Sequence, residues 1–406
     1  MQPRYSHYKK ETISADSLNA IRIGAANRSP ISGLTHCFYR YPARFSPAFV
    51  ASAIETLSQH GNVILDPYMG GGTTIIEAMA RGRVAIGCDL NSLAVFVTSA
   101  KTTLLTEPEV LCVRRWAAEI VPLLSYHTVT EEVAELVCPQ RTRNLNLPRA
   151  RPVKKLIAQA LLTLTDLPSD QVRNFARCIL LNVAQWALNN RKVAPSLQQV
   201  RGRIVSATED MLSGLNSLSK IMANLGKQHG APKLIHATAE NLPRHTPFTT
   251  GTKVDLVITS PPYPGIHILY HRWQVDGRKE TPAPYWIADC FDGKGSSYYN
   301  FADRKQDAED DYFTESLRTL KAVRSVMKDD ALMIQMIAFS KPRSQLLKYL
   351  RNMELAGFQE VRETEHENRV TRFRRVWRAV PGRAWYANLK GQTTSSREVV
   401  LIHRAV

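Results

Sequence analysis

Paired cysteines, long apolar runs and repeats are all lacking in this sequence of 406 residues. Its six cysteines (Cys37, Cys88, Cys112, Cys138, Cys178 and Cys290) include no C-x-x-C pair. A zinc ribbon, a redox pair and a disulfide scaffold are therefore unsupported; the thiols are expected to be reduced and structural, and no metal site is expected. No 18 apolar residues run together, and the N-terminal MQPRYSHYKKET has no apolar stretch of signal-peptide type. No membrane partner is expected, and the expected location is the cytoplasm, close to the nucleoid. Low-complexity segments are absent too. With 44% apolar and 22% charged residues the chain has ordinary globular composition.

Charge is unevenly supplied. Lys and Arg number 53 against 36 Asp and Glu, a formal net charge of +17. A basic surface concentrates polyanions, so nucleic acid is the leading partner class. The excess is blocky: RTRNLNLPRARPVKK at 141–155 has six basic residues and no acid, and residues 369–390 hold seven basic residues and no acid.

Periodicity divides the chain into three stretches. In the first, 1–106, the leading forty residues read as irregular. A helix is then expected from Pro47, capped by Ser46, with Phe49, Val50, Ile54 and Leu57 on one face. Asn62–Asp66 reads as a strand, Thr73–Arg81 as a helix closed by Gly82, and Val84–Cys88 as a second strand, which together make the βαβ unit of parallel doubly wound sheets. The second stretch, 107–230, has helical periodicity only, with helices expected at 107–124, 152–164, 168–190 and 195–225. In the third, 231–406, strands are expected at 234–237, 254–259, 331–337, 358–363 and 398–403, and helices at 312–328 and 343–355. The last two strands flank a basic excursion, which suggests an antiparallel hairpin at the sheet edge.

Two turns carry chemistry. Gly70, Gly71 and Gly72 follow the first strand and open a helix, whose free N–H groups and positive end suit a bound ligand. No Gly-Lys-Ser/Thr follows, which excludes a phosphate-binding P-loop. Asp89 ends the second strand 23 residues after Asp66, a place suited to ribose hydroxyls. The other turn, Ser260-Pro261-Pro262-Tyr263, ends an apolar strand. Two prolines cannot extend the ladder, so the chain leaves the sheet in a rigid loop with free carbonyls. Ser260 Oγ and the Pro261 carbonyl can take the two hydrogens of a planar exocyclic amine and direct its lone pair at an electrophilic methyl, with Tyr263 stacked on the base. A nicotinamide oxidoreductase would use the glycine loop but has no need of Pro-Pro-Tyr. A cytosine C5 enzyme needs a cysteine nucleophile where Ser260 stands.

Asp66-Pro67-Tyr68-Met69-Gly70-Gly71-Gly72-Thr73-Thr74 resembles motif I, and Thr259–Tyr263 motif IV, of the S-adenosylmethionine-dependent DNA amino-methyltransferases. Tyr41–Pro47 looks like motif X of that family, giving the order X, I, IV. The resemblance covers about residues 36–100 and 232–405. It implies a doubly wound, mostly parallel, seven-stranded Rossmann-like methyltransferase sheet, with an antiparallel edge hairpin and a helical insertion at 107–230. It also implies S-adenosylmethionine as cofactor, held by Arg44, Phe45, Asp66, Tyr68, Gly70, Gly72, Thr73, Asp89 and Asn91, and catalysis by Ser260, Pro261, Pro262 and Tyr263. Double-stranded DNA is the implied partner, with a cognate restriction endonuclease as a further candidate. In that family Ser-Pro-Pro-Tyr occurs most often with cytosine N4 as target; adenine N6, RNA and protein amides are the alternatives. One departure stands out: Thr238 occupies a position where the family usually has an Asp for the cofactor's adenine, leaving Glu240 or Asn241 as substitutes. Three segments are candidates for reading DNA: the insertion, the aromatic loop 263–299 (with Tyr270, His271, Arg272, Trp273 and Arg278), and 369–390, where Arg372, Arg374, Arg375 and Arg378 are expected to neutralise phosphates.

Overall fold

The computed structural model describes residues 13–42, 44–127, 131, 140–226, 230–264, 272–277, 279–291, 301, 308–361, 375–379 and 397–406. Its centre is an eight-stranded sheet formed by β1 (Val63–Asp66), β2 (Val84–Asp89), β3 (Lys233–His236), β4 (Val254–Thr259), β7 (Met327–Ala338), β8 (Phe358–Glu360), β9 (Val376–Ala379) and β10 (Arg397–Ala405). Seven strands lie in the order β3-β2-β1-β4-β7-β10-β8, with β9 paired to β10 beside them. The first five are parallel and β10 runs against β7, β8 and β9, so the fold is Rossmann-like with the expected antiparallel edge. The eighth strand, β9, lies within the basic excursion, where no strand was expected.

Both sheet faces are covered, which is why its strands are apolar without alternation. Ile64, Leu256, Ile258, Ile334 and Met336 pack with α1 (Ala15–Ala26), α2 (Pro47–Leu57) and α3 (Thr73–Ala80). Leu65, Val257, Met333 and Ile337 face α10 (Ala308–Val326) and α11 (Pro342–Leu355). Helix α1 corrects the irregular reading of the lead-in. Its N-cap, Ser14, accepts from the Ser17 amide, and Ile21, Gly24 and Ala25 are buried, a stripe too short to stand out in the sequence. Pro47 begins α2 as expected, but Ser46 makes no side-chain cap bond.

The helical insertion comprises α5 (Glu107–Leu123), α6 (Arg151–Leu162), α7 (Asp170–Leu188) and α8 (Leu197–Asn224), close to the expected spans. Capping boxes at Thr106/Glu109 and Ser196/Gln199 start α5 and α8. Its core also takes in α4 (Ser92–Thr102), the hairpin β5 (Trp273–Val275) and β6 (Lys279–Thr281), and α9 (Ala283–Ala288). Helix α4 therefore joins two cores. The sequence reading placed this stretch in a loop; Trp273, Val275, Ala283 and residues 285–288 pack among the insertion's helices.

Candidate active site

A cavity of about 500 Å³ opens at the C-terminal ends of β1, β2 and β4, where ligands sit in open α/β sheets. The glycine turn forms one wall. Gly72 holds φ +77° and is the N-cap of α3; a Cβ there would lie 2.7 Å from the Thr98 side chain, and one at Gly71 would lie 2.8 Å from Tyr41 Cβ. Close protein packing, rather than ligand approach alone, therefore requires these glycines. Lys101, 1% exposed, reaches behind the turn and donates to the Gly71 carbonyl at 2.7 Å. Burial, with the Arg44 charge as a smaller contribution, lowers its ammonium to about 7.

Two carboxylates end the neighbouring strands. Asp66 accepts from Thr259 Oγ1 at 2.8 Å and from the Tyr68 amide at 3.1 Å, tying the tip of β1 to that of β4. Asp89 accepts from the Gly70 amide at 2.9 Å and the Asn91 amide at 2.8 Å, which draws the glycine turn to the end of β2. Burial raises both to about 6, against the stabilising effect of those hydrogen bonds. Asn91 lines the cavity but is heavily committed: Oδ1 caps α4 and accepts from Tyr285 Oη, and Nδ2 donates to Tyr41 Oη. Its position thus locks Tyr41 and α9 to the site.

Of the expected cofactor residues, Arg44, Phe45, Asp66, Tyr68, Gly70, Thr73, Asp89 and Asn91 line the cavity, and Gly72 lies just behind it. Thr238 also lines it, and its Oγ1 is buried without a hydrogen-bond partner among the described residues. The two suggested substitutes lie off the wall; Glu240 pairs instead with Arg318. Sequence reasoning missed Phe301, Asp311, Thr314 and Glu315, which also line the cavity. The acid-rich first turn of α10 is a signal for Asp311 alone. The lining suits a cationic ligand bearing hydroxyls, because Asp66, Asp89 and Asp311 line the cavity beside Glu315, which pairs with Arg318, and Thr238 offers an unused hydroxyl.

Ser260 and Pro262 form part of the same wall, directly beyond β4. The Pro262 carbonyl accepts from Tyr312 Oη at 2.7 Å and that of Pro264 from the Ser340 amide at 3.4 Å. Neither Pro261 nor Tyr263 lines the cavity. Tyr263 is 8% exposed, with its hydroxyl 2.8 Å from Ser260 Oγ and 3.1 Å from Glu398, so the ring is occupied behind Ser260 in place of the expected stack on a base.

The basic segments are also partly spent. Arg141 pairs with Asp289, Arg149 with Asp276, Lys154 bonds Asn146 and Lys155 the Tyr126 carbonyl, leaving Arg143 and Arg151 exposed. Arg375 grips Glu360 through two bonds and Arg378 pairs with Glu398; both expected phosphate contacts are therefore corrected to intramolecular ion pairs. Trp273 is core, donating to Tyr39 Oη at 3.0 Å. Tyr270, His271, Arg278, Arg372, Arg374 and Cys138 lie outside the described residues. The five described cysteines are free. Among the described residues no cluster suits a metal, and no helix is long and apolar enough to cross a membrane.

Residues 4–98 match the family model N6_N4_Mtase, DNA methylase. The type II methyltransferase M.MvaI of Kocuria varians is 37% identical over 73 residues, which is 17% of this chain and 16% of that protein. M.ScaI of Streptomyces caespitosus is 35% identical over 65 residues, 16% of this chain and 20% of that protein. The chain thus spans a fifth or less of the length of these relatives. The rRNA methyltransferase aviRa from Streptomyces viridochromogenes superposes with a TM-score of 0.35 at 10% identity, covering 93% of this chain and 94% of that one. The family match includes the segment that carries Tyr41–Pro47, the glycine turn and Asp89, and shows kinship with DNA amino-methyltransferases there.

Proposed function

From that kinship, we propose that the chain transfers a methyl group from S-adenosylmethionine to an exocyclic amine of a flipped base in double-stranded DNA, with cytosine N4 the favoured target over adenine N6. One observation carries the reading: a single cavity is walled by both the glycine turn with Asp89 and the Ser260-Pro262 turn. A cofactor site alone would fit many enzymes. On this reading Ser260, on the same wall, is the amine acceptor beside whatever the glycine turn holds.

Asp89 would hold the ribose hydroxyls, the N-terminus of α3 the carboxylate, and Thr238, whose buried hydroxyl has no partner among the described residues, the adenine. The cofactor supplies an electrophilic methyl on sulfur. Ser260 Oγ, which lines the cavity where Pro261 does not, would take one of the amine's hydrogens and so hold its lone pair on the line of attack. When bound, the cofactor would supply that methyl and leave as the neutral thioether. The methylated nitrogen is then strongly acidic and loses a proton to water, so Ser260 orients the amine and need not act as a base. Arg143 and Arg151 on the insertion supply phosphate contacts, and a cognate restriction endonuclease is a candidate companion.

Expression in a methylation-free host, followed by sequencing that separates N4-methylcytosine from N6-methyladenine, tests the proposal. N4-methylcytosine at a fixed sequence is the expected result. N6-methyladenine would overturn the choice of base, and unmodified DNA would overturn the substrate in favour of RNA or a protein amide.

A further inference from the structure

A chain of polar groups leaves Ser260 away from the cavity and crosses the sheet. Ser260 Oγ donates to the Met336 carbonyl on β7 at 3.0 Å and lies 2.8 Å from Tyr263 Oη. Tyr263 Oη donates to Glu398 Oε1 on β10 at 3.1 Å, and Arg378 Nε on β9 donates to Glu398 Oε2 at 2.7 Å. Glu398 and Arg378 are direct cross-strand partners, and Glu398 is 5% exposed. A buried carboxylate with no part in cofactor binding is costly unless its arrangement does something.

Each hydroxyl carries one hydrogen. A carboxylate only accepts, so Glu398 claims the hydrogen of Tyr263. Tyr263 then has none to give Ser260, and the hydrogen of Ser260 has acceptors at the Met336 carbonyl and Tyr263 Oη, both within the protein. Whichever takes it, the lone pairs of Ser260 are what remains for the cavity. We infer that Glu398, held by Arg378, is a positioning residue that sets the direction of this hydrogen-bond chain and so makes Ser260 an acceptor for the substrate amine. The inference rests on the amine-transfer reading for its consequence, though the direction of the chain does not.

Glu398→Gln tests it. The Gln amide can donate to Tyr263 Oη, which frees the phenol hydrogen to point at Ser260 and fill the lone pair meant for the amine. The expected result is a fall in methylation kcat of about tenfold or more, with the affinity for S-adenosylmethionine unchanged. Adding Tyr263→Phe removes the misdirected hydrogen, so the double variant should recover at least about threefold over Glu398→Gln. Wild-type kcat in Glu398→Gln, or no recovery in the double variant, overturns the inference. A readout that needs no substrate comes from ultraviolet resonance Raman spectra of the full chain minus those of Tyr263→Phe. They should show a phenol that donates strongly; an acceptor phenol overturns the inference even if Glu398→Gln does not fold. A wild-type chain that methylates no DNA while keeping the donor phenol overturns the proposed function and leaves the chain's direction standing.

Discussion

Ser260 and Asp89 line one cavity, and the proposed function gives them different roles that substitutions should separate. On the proposed function, Ser260→Ala removes an acceptor of amine hydrogens and leaves the glycine turn and Asp89 in place. Its methylation rate in single turnover should drop about 100-fold, while calorimetry finds S-adenosylmethionine bound as in the wild type; a wild-type rate would exclude the amine-acceptor role. Asp89 titrates at about 6 because burial disfavours its charge. Ribose hydroxyls and a sulfonium favour the ionised form, so cofactor affinity should hold above that pH and weaken as pH falls through it. Asp89→Asn should bind more weakly at pH 8 and show a flatter profile between pH 8 and 5. Retention of the full wild-type profile would assign the titration to Asp66, which burial also raises to about 6. At this scale the residue types in the two turns were legible from chemistry alone. The partners of Tyr263 were not, because Glu398 follows it by 135 positions and no local pattern links them.

Among elements, α4 is the joint between the sheet and the insertion. Its Asn91 cap, Thr98 and Lys101 all brace the glycine turn or Tyr41. Lys101 is a cation buried with a carbonyl as its hydrogen-bond acceptor, and its ammonium loses a proton near 7 where the ordinary value is 10.5. Between those values the unfolded chain holds a proton that the native chain has released. Stability from this group should therefore rise as pH climbs from 7 towards 10.5. Lys101→Met keeps the apolar stem and removes the titration, so its urea midpoint should lack that rise; an unchanged slope would place the native proton elsewhere. Packing can be tested separately at the turn. Gly72→Ala forces a Cβ against Thr98 at a positive φ and should cost about 2 kcal/mol, read as a lower urea midpoint. The insertion's helices were legible because capped, amphipathic segments announce themselves. Hairpin β5–β6 and α9 were not, being three to six residues long and ordered by packing against α7 and α4.

For the molecule as a whole, the net charge of +17 measures attraction to a polyanion but not where it acts. Most described basic residues of 141–155 are paired internally, and Arg143 and Arg151 stay exposed. DNA affinity should fall linearly with log salt, and replacing both arginines by alanine should shallow that slope by about 2 if each neutralises one phosphate. An unchanged slope would move the contacting surface off the insertion.

By itself the sequence determined the class of fold and the two turns, since hydrophobic period, glycine and proline chemistry and strand-end acids act over a few neighbouring residues. Only the tertiary structure decided which charges are free and which are paired, that the glycines make room for Tyr41 and Thr98, and that Tyr263 lies behind Ser260 with Glu398. Those facts depend on which strands lie side by side, and β10 came to lie between β7 and β8 through burial and pairing across the whole sheet.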